Sequence, residues 1–129
     1  MLSLFLIGRI LFGGYFIKSA LAHFMKHQMM AGYAASRGVP MTGFLIPFSG
    51  LLILLGGLSI LLGAYVKIGV LLIALFLIPV TFWMHPYWKD ADPNMKMANT
   101  VNFWKNLCLL GAALMLLAIP EPWVWSVLF

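Results

Sequence analysis

Hydrophobic positions fall into four long blocks joined by three connections. The first block covers about residues 2–24 and carries Gly8, Arg9, Gly13, Gly14 and Lys18 in its interior. A more polar stretch follows and ends in the breaker SRGVP. The second block covers about 44–62, with Pro47 near its start and Gly56-Gly57 inside. A very short turn, Ala64-Tyr65-Val66-Lys67, leads to the third block, about 68–85, which Pro79 is expected to kink. HPYWKDADPN reads as a loop from its Pro, Asp and Asn content. The fourth block covers about 101–119, and the Trp-rich tail PEPWVWSVLF reads as a short interfacial segment. A membrane span needs about 20 apolar residues. The pattern therefore predicts an all-α integral membrane four-helix bundle, one domain over residues 1–129, with antiparallel spans 2 and 3. The apolar start MLSLFLIGRILFGG lacks a basic leading region, so it reads as a retained first span.

Composition agrees with a bilayer as solvent. The chain is 64% hydrophobic and 9% charged, where soluble domains are roughly half apolar and about a quarter charged. Four spans and their connections use the whole length, so no separate soluble domain is expected. The net charge of +5 comes from eight Lys and Arg scattered near span ends. That placement suits lipid headgroups and argues against nucleic acid as a partner. Lys26, Arg37, Lys89 and Lys96 lie in connections 1 and 3, with Lys18 and Lys105 nearby, against Lys67 and at most Arg9 on the other side. The positive-inside rule then puts connections 1 and 3 in the cytoplasm. Cys108 is the single cysteine, so neither an internal disulfide nor CxxC chemistry is available.

Charge inside a span is costly and marks candidate function. Arg9 and Lys18 are nine residues apart, so they face opposite sides of a helix, about 13 Å apart along it. All three acidic residues, Asp90, Asp92 and Glu121, lie outside the spans. An inward Arg9 must therefore bond backbone carbonyls, Asn or Ser side chains, or a ligand; a basic interior suits an anion or a quinone carbonyl. Lys105-Asn106, near the start of the fourth block, adds donors. His85, in TFWMHPYW, could relay protons near neutral pH or be one more polar tip in an aromatic belt with Trp83, Tyr87 and Trp88. In HFMKHQMM, His23 and His27 would share a face if the first helix continued, with Met25, Met29 and Met30 alongside and Met84, Met95 and Met97 on the same side. Thioethers and imidazoles suit Cu(I), and His23 with His85 could be imagined as haem ligands. No HExxH or CxxC spacing supports either, and the expectation is no metal and a plain exit of the first span.

GRILFGGYFIKSA, GYAASRGVP, LLGGLSILLGAYVKIGVLL, FWMHPYW and NFWKNLCLLGAALML, in that order, resemble the DoxX family of small bacterial and archaeal four-span membrane proteins. That family takes its name from a subunit of a terminal quinol oxidase complex, with relatives in thiosulfate:quinone oxidoreductase and in oxidative and thiol stress responses. The resemblance implies a plasma-membrane subunit of a quinone-linked redox system. Its matching positions include Arg9, Lys18, Gly56-Gly57, His85 with Trp88, and Lys105-Asn106. The expected site has His85 as the proton-handling, catalytic residue, and Arg9, Lys18, Lys105, Asn106 and Trp88 against substrate. A bound quinone is the expected guest, with no intrinsic cofactor. A second copy or a redox partner subunit is the expected associate, and whether the chain is itself an enzyme stays open. Family members usually carry a glutamate where this chain has Ile53, so the acidic partner of a buried Arg or Lys is missing. The alternatives are a non-catalytic assembly subunit and a small carrier of an anion or sulfur compound.

Overall fold

In the computed structural model, which describes residues 1–127, the chain is helical throughout its ordered elements. Leu128 and Phe129, the end of the predicted tail, lie outside the described residues. The helices are α1 (Leu2–Met25), α2 (His27–Ser36), α3 (Thr42–Leu62), α4 (Val66–Met84) and α5 (Pro93–Leu116), with a 3-10 turn at Tyr87–Lys89. Helix α1 packs on α3, α3 on α4 and α4 on α5, while α2 lies against α3 and α1.

Two features correct the four-helix expectation. The first connection is largely a helix. Lys26, at φ −110°, interrupts the α-helical run after Met25, and a second helix starts at His27. It ends where the GVP signal stops it. Gly38 takes φ +84°, Val39 N–H donates to the Ala34 carbonyl, and Gly38 N–H donates to the Ala35 carbonyl. This is the paired closure that a left-handed glycine permits at a helix end. Secondly, α5 starts two turns before residue 101. The Asp92 side chain accepts the Met95 N–H at 2.9 Å, and Pro93 occupies the first turn, where a missing N–H costs nothing. The opening stretch of α5, PNMKMANTVN, is polar. Among the described residues, three helical stretches rather than four are long and apolar enough to cross a membrane: α1, α3 and Val66–Lys89.

The α1–α3 crossing is built on glycine. Cβ atoms built on Gly13 and Gly57 would lie 2.7 Å from the Gly57 carbonyl oxygen and 2.8 Å from the Gly13 carbonyl oxygen, respectively, so the two backbones touch. The core holds the fully covered side chains of Phe16, Ile53, Ile60, Ile73 and Leu77. Ile53 thus fills core volume where the family resemblance places a carboxylate. Outward-facing Leu4, Ile7, Leu11, Leu51, Leu55, Leu71 and Leu75 give α1, α3 and α4 apolar outer faces suited to lipid.

Candidate functional site

Polar chemistry gathers at the two ends of the molecule, and an apolar pocket lies near one of them. At the end holding the start of α1 and the close of α3, Arg9 is 2% exposed. The last four carbonyls of α3 have no amide within the helix to accept. Gly63, at φ +69°, lets the chain turn so that Ala64 N–H reaches the Ser59 carbonyl and Gly63 N–H reaches that of Ile60. Arg9 Nε–H donates to the Ile60 carbonyl at 3.2 Å, and its Nη2 donates to that of Leu61 at 2.8 Å. Val127 N–H takes the Leu62 carbonyl at 3.0 Å. All four are therefore paired. Arg9 also holds the tail, with Nη1 on the Val124 carbonyl at 2.6 Å and Nη2 on that of Trp125 at 3.5 Å. The guanidinium lies 5.8 and 5.7 Å from the ring centroids of Phe5 and Trp123. Trp123 is itself buried, so this part of the tail is packed against the bundle. Any Cβ at residue 63 would sit 2.8 Å from Arg9 Nη2, so glycine there serves both the backbone angle and the approach of the arginine.

At the other end, four elements meet in one hydrogen-bond chain. Arg37, just past α2, donates through Nη1 to Asp90 Oδ1 at 2.9 Å. Asn99 of α5 donates through Nδ2 to Asp90 Oδ2 at 2.7 Å. His85, at the end of α4, lies with Nδ1 3.0 Å from Asn99 Oδ1. With the amide nitrogen of Asn99 turned to a carboxylate, its oxygen can only accept, so His85 carries its proton on Nδ1. The Asn99 amide and then the Arg37 guanidinium hold the Asp90 carboxyl below the usual Asp range. A depressed carboxylate stabilises the fold fully above its unfolded pKa of about 4 and loses that contribution as pH falls through the folded value. Thermal unfolding of the parent and of Asp90→Asn should therefore differ at neutral pH and converge as acid is added below the ordinary Asp range. A constant gap down to the acid limit would show that the ion pair does not fasten this end.

Between these ends, beneath α2, lies a pocket of about 580 Å³ walled by α1, α2, α3 and α4. His23, Met30, Tyr33, Ser49, Phe76 and Trp83 are among its lining residues, and its surface is nearly all apolar. His23 is 6% exposed and donates through Nδ1 to its own helix at the Ser19 carbonyl, 2.7 Å away. Its ring stands edge-on to Phe76 at 5.6 Å. Helix α2 is tied down by His27, whose Nε2–H donates to the Gly43 carbonyl at 3.1 Å. That carbonyl is free because Pro47, four residues on, has no N–H. His23 and His27 therefore do not share a helix face: one lines the pocket and the other pins α2.

The structure separates the residues read as one site. Arg9 belongs to the α3 terminus, and His85 lies at the far end of antiparallel α4, about 28 Å of helix away. Lys18 is exposed on α1. Lys105 is exposed, donates to Asn102 Oδ1 at 3.1 Å and lies 5.9 Å from the Tyr15 ring. Asn106 is buried on the face of α5 that also carries Phe103 and Ala113. Trp88 packs edge-on to Phe103 and Tyr87 at the His85 corner. None of Arg9, Lys18, His85, Trp88, Lys105 and Asn106 lines the pocket. In the sequence His23 stands as a candidate metal or haem ligand, Arg37 and Asp90 count only as charges outside the spans, and Asn99 has no assigned role. The signal that could have found His23 is its place on the face of Phe16 and Ala20, three and four residues apart, which is the buried stripe of α1.

No curated protein and no solved structure matches the chain. The DoxX family model matches residues 4–86, from the first turn of α1 to the proline after His85. The match takes in α1–α4, the pocket and both ends of the Gly13–Gly57 crossing, and stops short of α5. By that match, over more than half its length, the chain belongs to the DoxX family.

Proposed function

We propose that the chain is a plasma-membrane subunit of a quinone-linked redox system and that it holds a quinone-class molecule in the pocket beneath α2. The observation that carries this reading is the pocket itself: about 580 Å³ of nearly apolar space with one buried imidazole on its wall. Sites for lipophilic ligands have this size and this ratio of apolar wall to polar anchor. Membership in the DoxX family, whose members are membrane proteins associated with redox systems, supports the same class of guest. The chain binds and orients the carrier, and a partner subunit brings the electron-transfer cofactor. Organic extracts of detergent-purified protein, read by mass spectrometry, test it. A quinone should accompany the parent and be lost from Leu52→Trp, which fills the pocket from α3, while the melting temperature holds. Bulk phospholipid alone in both samples would remove the reading.

A second reading draws on Arg9. Its donors are turned to backbone carbonyls of its own chain, which is what an assembly subunit without chemistry needs of a buried arginine. A partner complex that forms with Leu52→Trp as well as with the parent, and works equally well, would favour that reading.

A further inference from the structure

His23 is the one polar side chain on the pocket wall that is buried. His23 Nδ1 faces the Ser19 carbonyl, which can only accept, so the ring proton is on Nδ1. In the neutral imidazole, Nε2 is then a bare lone pair, and it has no partner among the described residues. Ser49 uses its hydroxyl proton on the Ile46 carbonyl, 2.9 Å away, and so presents only oxygen lone pairs to the wall. The donors on the wall are the Tyr33 hydroxyl and the Trp83 indole N–H. Both residues are 44% exposed against 6% for His23, so the imidazole is the more deeply covered group.

We infer that the depth of the pocket selects a ligand that donates a hydrogen bond, a lipophilic phenol or hydroxyl, and that His23 and Ser49 set this preference. The inference rests on the pocket reading above. Within the quinone class it means the reduced quinol, which carries two O–H donors, over the oxidised quinone, which offers only carbonyl acceptors. A quinone carbonyl facing Nε2 sets lone pair against lone pair and leaves both without water. A quinol places a proton between them. Sites built to bond a hydroxyl reject analogues that lack it far more strongly than apolar sites reject changes of shape.

The test uses the full chain in phosphatidylcholine nanodiscs under argon, with binding read by equilibrium dialysis. The probes are a short-chain ubiquinol analogue, its oxidised quinone, and the bis-O-methyl ether of the quinol, which has no donor. The quinol should bind about tenfold tighter than either of the others. In His23→Phe it should fall to the level of the ether, whose own binding should hold, and Ser49→Ala should lower it part of the way. The three-probe comparison on the parent protein decides the matter even if His23→Phe fails to fold. Equal binding of all three probes, or tighter binding of the quinone, overturns the donor preference and leaves the pocket reading standing. No binding of any probe removes both.

Discussion

Replacing Arg9 with methionine should lower stability by about 3–5 kcal/mol and release the tail, with no change in what the pocket binds. The size follows from the number and setting of the bonds lost. Arg9 makes three hydrogen bonds of 3.2 Å or shorter, to the carbonyls of Ile60, Leu61 and Val124, at a site 2% exposed. A bond from a charged donor contributes about 1.5–3 kcal/mol, and removing the donor also leaves buried acceptors bare. Water would normally take over the open carbonyls at a helix end, but this site is closed over by protein, with Arg9 2% and Trp123 3% exposed. Methionine restores some of the apolar contact with Phe5 and Trp123 and none of the donors. Lysine should rescue poorly. One ammonium cannot reproduce a planar fork aimed at the end of α3 on one side and at the tail on the other. The measurement is chemical or thermal unfolding in one detergent for the parent, Arg9→Met and Arg9→Lys, with limited proteolysis of residues 117–127. A stable Arg9→Met with a protected tail would show that the guanidinium has another task.

The same arginine shows where sequence reasoning stops. That a cation in the first span needs compensation was legible, and so was the shortage of acids to provide it. The partners were not, because backbone carbonyls carry no signature in a sequence. Only the close of α3 at Gly63 and the return of the tail bring four of them to one point. The apolar blocks placed α1, α3 and α4 well, since each is a long run with flanking breakers. Helix α2 was hidden because its ten residues, HQMMAGYAAS, lack a long apolar run and read equally as loop, and its pinning by His27 depends on a carbonyl freed by Pro47 sixteen to twenty residues on. The early start of α5 was hidden by reading Asp92-Pro93 as a loop mark when the same pair is a helix cap. The His85–Asn99–Asp90–Arg37 chain joins residues from four segments, and the pocket is space between helices, so neither leaves a local pattern. The residues singled out in the sequence, Arg9, Lys18, His85, Trp88, Lys105 and Asn106, do not line the pocket, and the imidazole that does is His23.

Glycines of identical appearance in the sequence should respond to alanine in opposite ways. At Gly13 the added methyl would lie 2.7 Å from the Gly57 carbonyl oxygen and 3.0 Å from Leu61 N, and at Gly57 it would lie 2.8 Å from the Gly13 oxygen. Both neighbours are backbone atoms of packed helices, so the methyl can be admitted only by moving α1 away from α3. Overpacking of this kind costs about 1–3 kcal/mol, and the upper end applies where nothing can rotate aside. The separation would also reach Phe16 and Ile60, which close over the contact, and Arg9, whose bonds to the end of α3 depend on the same spacing. Gly13→Ala with Gly57→Ala should therefore be less damaging than the sum of the single changes, because one separation of the helices serves both methyls. At Gly8, Gly14 and Gly111 nothing lies within 4 Å of the added methyl. Alanine there should be neutral or stabilising by up to about 1 kcal/mol, through the reduced freedom of the unfolded chain. Unfolding of the five single variants and the double variant in one detergent separates the cases. Equal responses at Gly13 and Gly14 would mean that the two helices do not meet at this crossing in the folded protein.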